Sequence, residues 1–395
     1  MNLSILVILS LLLNNFLFSQ NLITIKGIVK DKNSKEILAF ANISILQKHI
    51  GTVSNEKGKF NFKIPKKYID DTLIISFIGY HNLKLHIKDL KLTNNFKSFF
   101  IEKSILILEE VNVISKKIKA EDIFFKAIEK IPENYYTKKH ISDVYFEEKE
   151  FQIGKYKKSH MKLGVAIKLY TPKFKKTHKY IFSALDETVE IIGVRRNEDC
   201  YTEPIKIIKK INEVKITLKR NIFRYKHPFL RKKFLKKYNF EKENTKLYDD
   251  NLVYIINLKY ENRSVKFFIR KDNFAIMEVQ FFYDSKKPSE INKIIKREIY
   301  DIEKYVEIIK FKEINNKLFL YTMYSYHDIK NFEQNGEMLL NSQYFTKILV
   351  NNIDTVNVRK PENKMKNKSI YYQENLEYDP EFWENYNHIL DTISK

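Results

Sequence analysis

Cysteine is almost missing from this sequence: Cys200 is the only one in 395 residues. One thiol closes no internal disulfide, so the fold must hold without covalent staples, and the lone thiol reads as a bystander rather than a nucleophile. Glycine and proline are scarce, at eight each, and tryptophan occurs once. Eight glycines can hardly supply a phosphate-cradling loop, and no Gly-x-Ser-x-Gly elbow occurs. The nine histidines include no pair at the i, i+4 spacing of a helical zinc motif, and there is no cysteine set to join them. His327-Asp328 reads as a turn-like pair. Beyond the first residues no run is long and apolar enough to be a spanning helix. The sequence therefore predicts no catalytic residue, no metal site and no cofactor.

Arginine is also short, nine against 62 lysines, within a net charge of +22. A surface selected to grip phosphate in two places would use more guanidinium forks. The lysines are spread out, and they accompany the Asn, Ile, Tyr and Phe that an A/T-rich genome encodes, so most of the charge reads as a solvated surface. The hydrophobic share of 44% and aromatic share of 14% exclude a wholly disordered chain, and the length allows two or three domains. Residues Leu3 to Phe18 are almost entirely apolar. They predict a signal peptide over residues 1–20, cut near Ser19 or Gln20, with no cysteine placed for lipid attachment. Its departure is an n-region without Lys or Arg. An exported protein, periplasmic or on the periplasmic face of the outer membrane, is the expectation.

Residues 22–113 alternate as strands do. Ile23, Ile25, Gly27 and Val29 share one face of the first. Ala41, Ile43 and Ile45 line a second. Gly58 can take the positive φ of a tight turn before Phe60, Phe62 and Ile64, and Pro65 ends that strand. Leu73 to Tyr80 is apolar on both faces, as a central strand would be. About seven short strands at this spacing imply a β-sandwich. The runs Gly27-Ile28-Val29-Lys30-Asp31, Ala41-Asn42-Ile43-Ser44-Ile45, Gly51-Thr52-Val53-Ser54-Asn55 with Gly58 and Phe60, Ile75-Ser76-Phe77-Ile78-Gly79-Tyr80 and Leu108-Glu109-Glu110-Val111-Asn112-Val113 occur in order. They resemble the carboxypeptidase-like regulatory domain of Bacteroidetes envelope proteins. That resemblance implies a prealbumin-like sandwich with no catalytic residues of its own. One departure is Lys35-Glu36, where the turn often carries glycine. A full TonB-dependent receptor is excluded, because the residues after 113 cannot hold a 22-stranded barrel and its plug.

Residues 115–135 change period. Ile118, Phe125, Ile128 and Ile131 fall near helical spacing, with Phe124 and Ala127 beside them, and Pro132 is expected to close this linking helix. From 141 to 358 the pattern returns to strands with polar turns, and 359–395 is a tail with a short Trp-containing segment. The fold class expected is mainly β: a sandwich, one amphipathic helix, and an antiparallel curved sheet or half-barrel. The helix end Ile131-Pro132-Glu133-Asn134-Tyr135, the strand at Val144-Tyr145-Phe146, the run Val265 to Val279 and Phe382-Trp383-Glu384-Asn385-Tyr386-Asn387 resemble the uncharacterised C-terminal part of flavobacterial proteins that carry this domain. The meander is also similar in kind to the half-barrels of periplasmic lipoprotein carriers. Such a face could receive an acyl chain, or its apolar side chains could simply pack on the helix. A small outer-membrane barrel is disfavoured by the lysines that would meet lipid.

One local charge feature stands out. Between Lys206 and Lys237 basic and aromatic residues interleave, and Glu213 is the only acid. Lys219, Arg220, Arg224, Arg231, Lys232, Lys233, Lys236 and Lys237 form a candidate patch for an anionic partner. With an export signal, the expected partner is a lipid headgroup, a glycan or an envelope protein rather than nucleic acid; a basic loop and helix covering the sheet is the plainer reading. Glu147, Glu148 and Glu150 cluster on one strand, but Glu147 and Glu148 face opposite ways and make no carboxylate pair. The function expected is non-catalytic binding of a partner protein, glycan or amphiphile. The alternative is an envelope glycan hydrolase with a site assembled only in the fold.

Overall fold

The computed structural model describes residues 22–90, 95–104, 118–154, 158–174, 186–196, 213–225, 230, 232–285, 293–295, 298–332, 337–365 and 377–387. The segment read as a signal peptide, Cys200 and Arg231 lie outside them.

The chain begins as the strand alternation requires. Strands β1 (Leu22–Asp31), β4 (Lys59–Pro65) and β7 (Lys97–Ile101) form one sheet in the order β4-β1-β7, with β7 parallel to β1. Strands β2 (Asn42–Ile45), β3 (Gly51–Val53), β5 (Thr72–Ser76) and β6 (Leu83–His86) form the other, in the order β3-β2-β5-β6. Ile25, Val29, Ile43, Phe60, Phe62, Ile64, Leu73 and Ile75 fill the space between the two sheets. Gly27 lies where this core is tightest. A Cβ there would sit 2.4 Å from the Phe99 ring and 2.6 Å from the Phe60 ring. Gly58 does hold φ +65°, and the Asn55 side chain accepts hydrogen bonds from the Lys57 and Lys59 amides across its turn.

Lys35, the departure from the family pattern, stands at φ 61°. The turn keeps the left-handed shape that glycine would adopt freely, and lysine bears its steric cost. Lys35→Gly is therefore expected to stabilise the sandwich, by about 0.5–1 kcal/mol. Chemical denaturation of the full chain checks this; equal or lower stability would contradict it.

The linking helix is shorter than its sequence pattern suggested. Helix α1 (Ala120–Glu129) stops three residues before Pro132, which instead opens the short helix α2 (Ile131–Asn134). Its buried face is Ile123, Phe124 and Ala127, while Ile118 and Phe125 are about half exposed. Two apolar stripes compete on this helix, and the one facing the sheet wins: Phe124 packs on Phe267 at 5.0 Å between ring centroids.

The remaining strands make one antiparallel sheet of eleven. They are β8 (His140–Gly154), β9 (Lys158–Thr171), β10 (Thr188–Arg196), β11 (Asn239–Tyr248), β12 (Asn251–Tyr260), β13 (Arg263–Arg270), β14 (Ile276–Asp284), β15 (Lys293–Ile295), β16 (Glu298–Ile314), β17 (Lys317–Phe332) and β18 (Met338–Asp354). The order is β10-β9-β8-β18-β17-β16-β14-β13-β12-β11, with β15 on β16. The sheet is open and curved, not a closed barrel. Two-residue turns set its register: Asn315-Asn316 and Asp249-Asp250 both have positive φ at each position, as hairpins matched to strand twist require. His327 and Asp328, read from sequence as a turn, lie inside the long strand β17, because the turn signal belongs to Asn315-Asn316 further up the chain.

The sheet has an inner face, which carries α1, α2 and helix α3 (Glu213–Leu218), and an outer face, which carries the sandwich. Helix α4 (Lys232–Leu235) follows α3. Helix α5 (Pro380–Asn385), capped by the Asp379 side chain, puts Trp383 on the outer face against Tyr145 and Arg195.

Candidate functional site

Register turns the inner face into rows of side chains that cross the sheet. The first row is apolar throughout: Phe146, Ile348, Met323, Ile309, Val279 and Phe267 are successive partners on β8, β18, β17, β16, β14 and β13. Helix α1, Val214 and Leu218 of α3, and Tyr135 pack into the same cluster. The apolar part of this face is thus filled by the chain itself. Between Tyr135, Phe223, Phe311, His140 and the Arg224–Glu187 pair a cavity of about 70 Å³ is left. That is room for a few waters, not for an acyl chain. Burial drives the His140 ring down to about 4, so it stays neutral there.

One row along, the chemistry changes. Glu148, Thr346, Ser325 and Glu307 are consecutive cross-strand partners on β8, β18, β17 and β16. Both carboxylates are sealed from solvent. Arg220, in the turn after α3, reaches into this row. Its guanidinium donates to Ser325 Oγ, and Glu307 and Glu148 supply the charge that opposes its burial. Ser325 and Thr346 bond to each other at 2.6 Å. Because a buried ion must be paired, this Arg-centred row is a single unit rather than three separate ions.

The next row is Glu150, Tyr344, His327, Tyr305, Tyr283 and Arg263. The His327 ring meets Tyr305 edge-on at 4.7 Å. Burial, with the nearby Arg220 charge, holds His327 well below its ordinary value, so the ring is neutral. Burial also lifts the Glu150 carboxyl to about 7, although Gln152 Nε2 donates to it at 2.6 Å.

This shift carries a sign. Between about 4.5 and about 7 the folded protein keeps a proton on Glu150 that the unfolded chain has released. Folding stability from this group therefore falls as pH rises through that window. Glu150→Gln is expected to remove the fall and to be more stable than the parent at pH 8 by about 1–3 kcal/mol. Denaturant midpoints from pH 4 to pH 8 check it; parallel curves for both proteins would contradict it.

The outer face holds a second polar system, at the seam with the sandwich. Lys310 Nζ donates to Phe40 O at 3.0 Å, and Lys312 Nζ to Lys48 O at 3.1 Å. Tyr321 OH donates to Thr52 O at 2.6 Å and lies against Gly51, where a Cβ would be 2.7 Å from the hydroxyl. Lys347 pairs with Glu56 at 3.2 Å. Burial brings Lys312 down to about 8, opposed by Asp249, whose own carboxyl burial pushes up. At the far side Asn387 exchanges two bonds with the Lys63 backbone, at 2.7 and 2.8 Å, and so ties the C-terminal segment to β4. Sequence reasoning took these lysines for surface. The alternation Lys310-Phe311-Lys312 in an apolar run was the available signal.

The basic stretch separates in space. Arg220 enters the buried row, and Arg224 Nε pairs with Glu187 at 2.8 Å beside the small cavity. Lys219 is partly buried after α3. Lys233, Lys236 and Lys237 are exposed on and after α4, with Lys237 Nζ 5.3 Å from the centre of the Tyr260 ring. Lys232 opens α4, and its side chain lies outside what the structure describes. The residues that proximity in sequence grouped together thus serve two environments. No group of His, Cys, Asp or Glu suited to a metal ion occurs among the described residues.

Residues 25–113 match the family model of the CarboxypepD_reg-like domain. No curated protein matches the chain. Among solved structures, the chain is similar to a DUF1329 family protein from Desulfovibrio piger, at 11% identity over 61% of this chain and 95% of that one, TM-score 0.26. It is similar to lipovitellin at 10% identity over 59% of this chain and 27% of that one, TM-score 0.27. It is similar to the MucA/MucB complex of Pseudomonas aeruginosa at 6% identity over 58% and 93%, TM-score 0.18. At such scores none of the three carries an argument about this chain.

Proposed function

We propose that this chain is an exported, non-catalytic envelope protein that binds a partner or ligand on the inner face of its large sheet. The observation that carries the reading is the division of that face. Its apolar part is occupied by the chain's own helices, and its far part carries a row of tyrosines, a neutral histidine and an arginine, of which Tyr344, His327, Tyr305 and Arg263 are partly exposed and Tyr283 is buried. Such amphipathic rings with hydrogen-bonding tips favour recognition over core packing. The sandwich sits on the opposite face and leaves this row uncovered by its own residues. The carboxylates in and beside the row, Glu150, Glu148 and Glu307, are all buried, so they do not frame a water-filled cleft of the kind hydrolysis needs. Export rests on the apolar first residues and on the matched sandwich domain.

The test is to express the full chain with its first 20 residues, fractionate the cells, and identify by mass spectrometry what co-purifies. Recovery in the periplasmic or outer-membrane fraction, with a mature N-terminus near residue 20 and a ligand bound in stoichiometric amount, supports the proposal. Recovery in the cytosol with the first residues intact overturns it.

A further inference from the structure

We propose that the turn at His49 is an acid-sensitive latch between the sandwich and the large sheet, closed while the histidine is neutral and loosened when it takes up a proton. The inference goes beyond the binding role proposed above and does not depend on it. Residues 46–50 connect β2 to β3, and the carbonyls on either side of His49, those of Lys48 and Ile50, lie 3.1 and 3.5 Å from Lys312 Nζ. The contact that docks this turn on the sheet thus fixes a cation beside the histidine. The His49 ring meets Phe319 of β17 edge-on, at 5.6 Å between ring centroids. His140 of β8 also meets Phe319 edge-on, at 5.5 Å, and Tyr136 stacks on it at 4.7 Å. Phe319 is a shared platform, only 5% exposed, and the tip of the sandwich is part of its cover.

His49 Nδ1 is sealed from solvent and has no hydrogen-bond partner among the described residues. A neutral ring leaves that nitrogen bare. An imidazolium puts an unmet donor there, together with part of a buried charge. The charges around the ring oppose it on balance. Lys312 on β16 repels a second cation, and Asp354, the last residue of β18, attracts one. Asp354 already accepts from the Val356 and Asn357 amides. Lys48 of the same turn is 3.8 Å from Asp71, and on the far side of Phe319 the Arg224 charge acts on His140. Burial first, then Lys312, hold the His49 ring below its ordinary value of 6.5, against the pull of Asp354. As pH falls below that value, the ring of an undocked turn takes a proton before the ring of a docked one, so docking weakens with acid. Asp249, which faces Lys312 and whose carboxyl is pushed up by burial, has the opposite sign and strengthens the seam on acidification. It is present in parent and variants alike, so their comparison isolates His49.

The experiment is hydroxyl-radical footprinting of the full chain between pH 8 and pH 5, reading oxidation of Phe319 against Phe267, which is buried beneath α1. In the parent the Phe319 to Phe267 ratio is expected to rise at least about fivefold on acidification. His49→Gln should abolish the rise, Asp354→Asn should enlarge it by removing the attraction, and His140→Phe should leave it in place. If His49→Gln leaves Phe319 open at every pH, the partly exposed Asp354 carries the test through its Asn variant. A ratio that does not change with pH in the parent, or a rise undiminished in His49→Gln, overturns the latch. A rise lost in His140→Phe and kept in His49→Gln assigns the proton to the sheet's own side and overturns it too. Oxidation of Phe267 rising in step with Phe319 reports unfolding of the sheet rather than release of the turn, and equally overturns it.

Discussion

Arg220→Met should be the most damaging single change at the inner face. It removes the cation from a row in which Glu148 and Glu307 are fully buried, at a cost of about 3–5 kcal/mol. The loss comes from the two carboxylates left behind more than from the arginine itself. For that reason the triple variant Arg220→Met, Glu148→Gln, Glu307→Gln is expected to recover much of the stability. Urea unfolding of the three proteins decides the matter. A single variant within 1 kcal/mol of the parent, or a triple variant no better than the single, would show that the row is not an ionic unit.

The second large effect is expected at the seam. Gly51→Val places branched carbon where Tyr321 OH, Ile43 O and the Ser44 Cβ leave no space, at 2.7, 2.9 and 3.1 Å from even a Cβ. The β2–β3 hairpin must then lift from β17, and the Tyr321 bond to Thr52 O is lost together with the approach of Lys312 to Lys48 O. A cost of about 2–4 kcal/mol follows from overpacking and from the buried donors left unmade. Its signature is specific: one melting transition should become two, and amide exchange should rise along β3 and β17 while the sandwich core stays protected. A uniform loss of stability in one transition would argue that Gly51 acts within the sandwich rather than at the seam.

Much of the architecture could be read from the chain. The alternation of Ile23, Ile25 and Val29, the turn at Gly58 and the run of strands over 141–358 are local patterns, and local patterns survive folding where one face is buried. The linking helix was legible as an element but not in its facing, because Ile118 and Phe125 offered a second apolar stripe of similar strength. The candidate site was not legible as one arrangement, although Arg220, Glu148, Glu150 and His327 each stood out in the sequence for other reasons. Glu148, Ser325, Thr346 and Glu307 become neighbours only through the register of four strands, and no spacing in the sequence links them. The basic stretch was visible as a concentration of charge, but nothing local told which arginines would turn inward.

The seam also has a lopsided design. On the sheet side it depends on particular side chains, Lys310, Lys312 and Tyr321. On the sandwich side these bonds end on main-chain carbonyls, those of Phe40, Lys48 and Thr52. Every residue has a carbonyl, so the sandwich can drift in sequence along this hairpin without losing these three acceptors, provided its backbone path, Gly51 and the Glu56 partner of Lys347 persist. The sheet cannot drift in the same way. The two halves are therefore free to evolve at different rates along this hairpin, and a sandwich of different sequence that keeps the hairpin path together with the side chains of Glu56 and Lys84 would be accepted by this sheet as a replacement part.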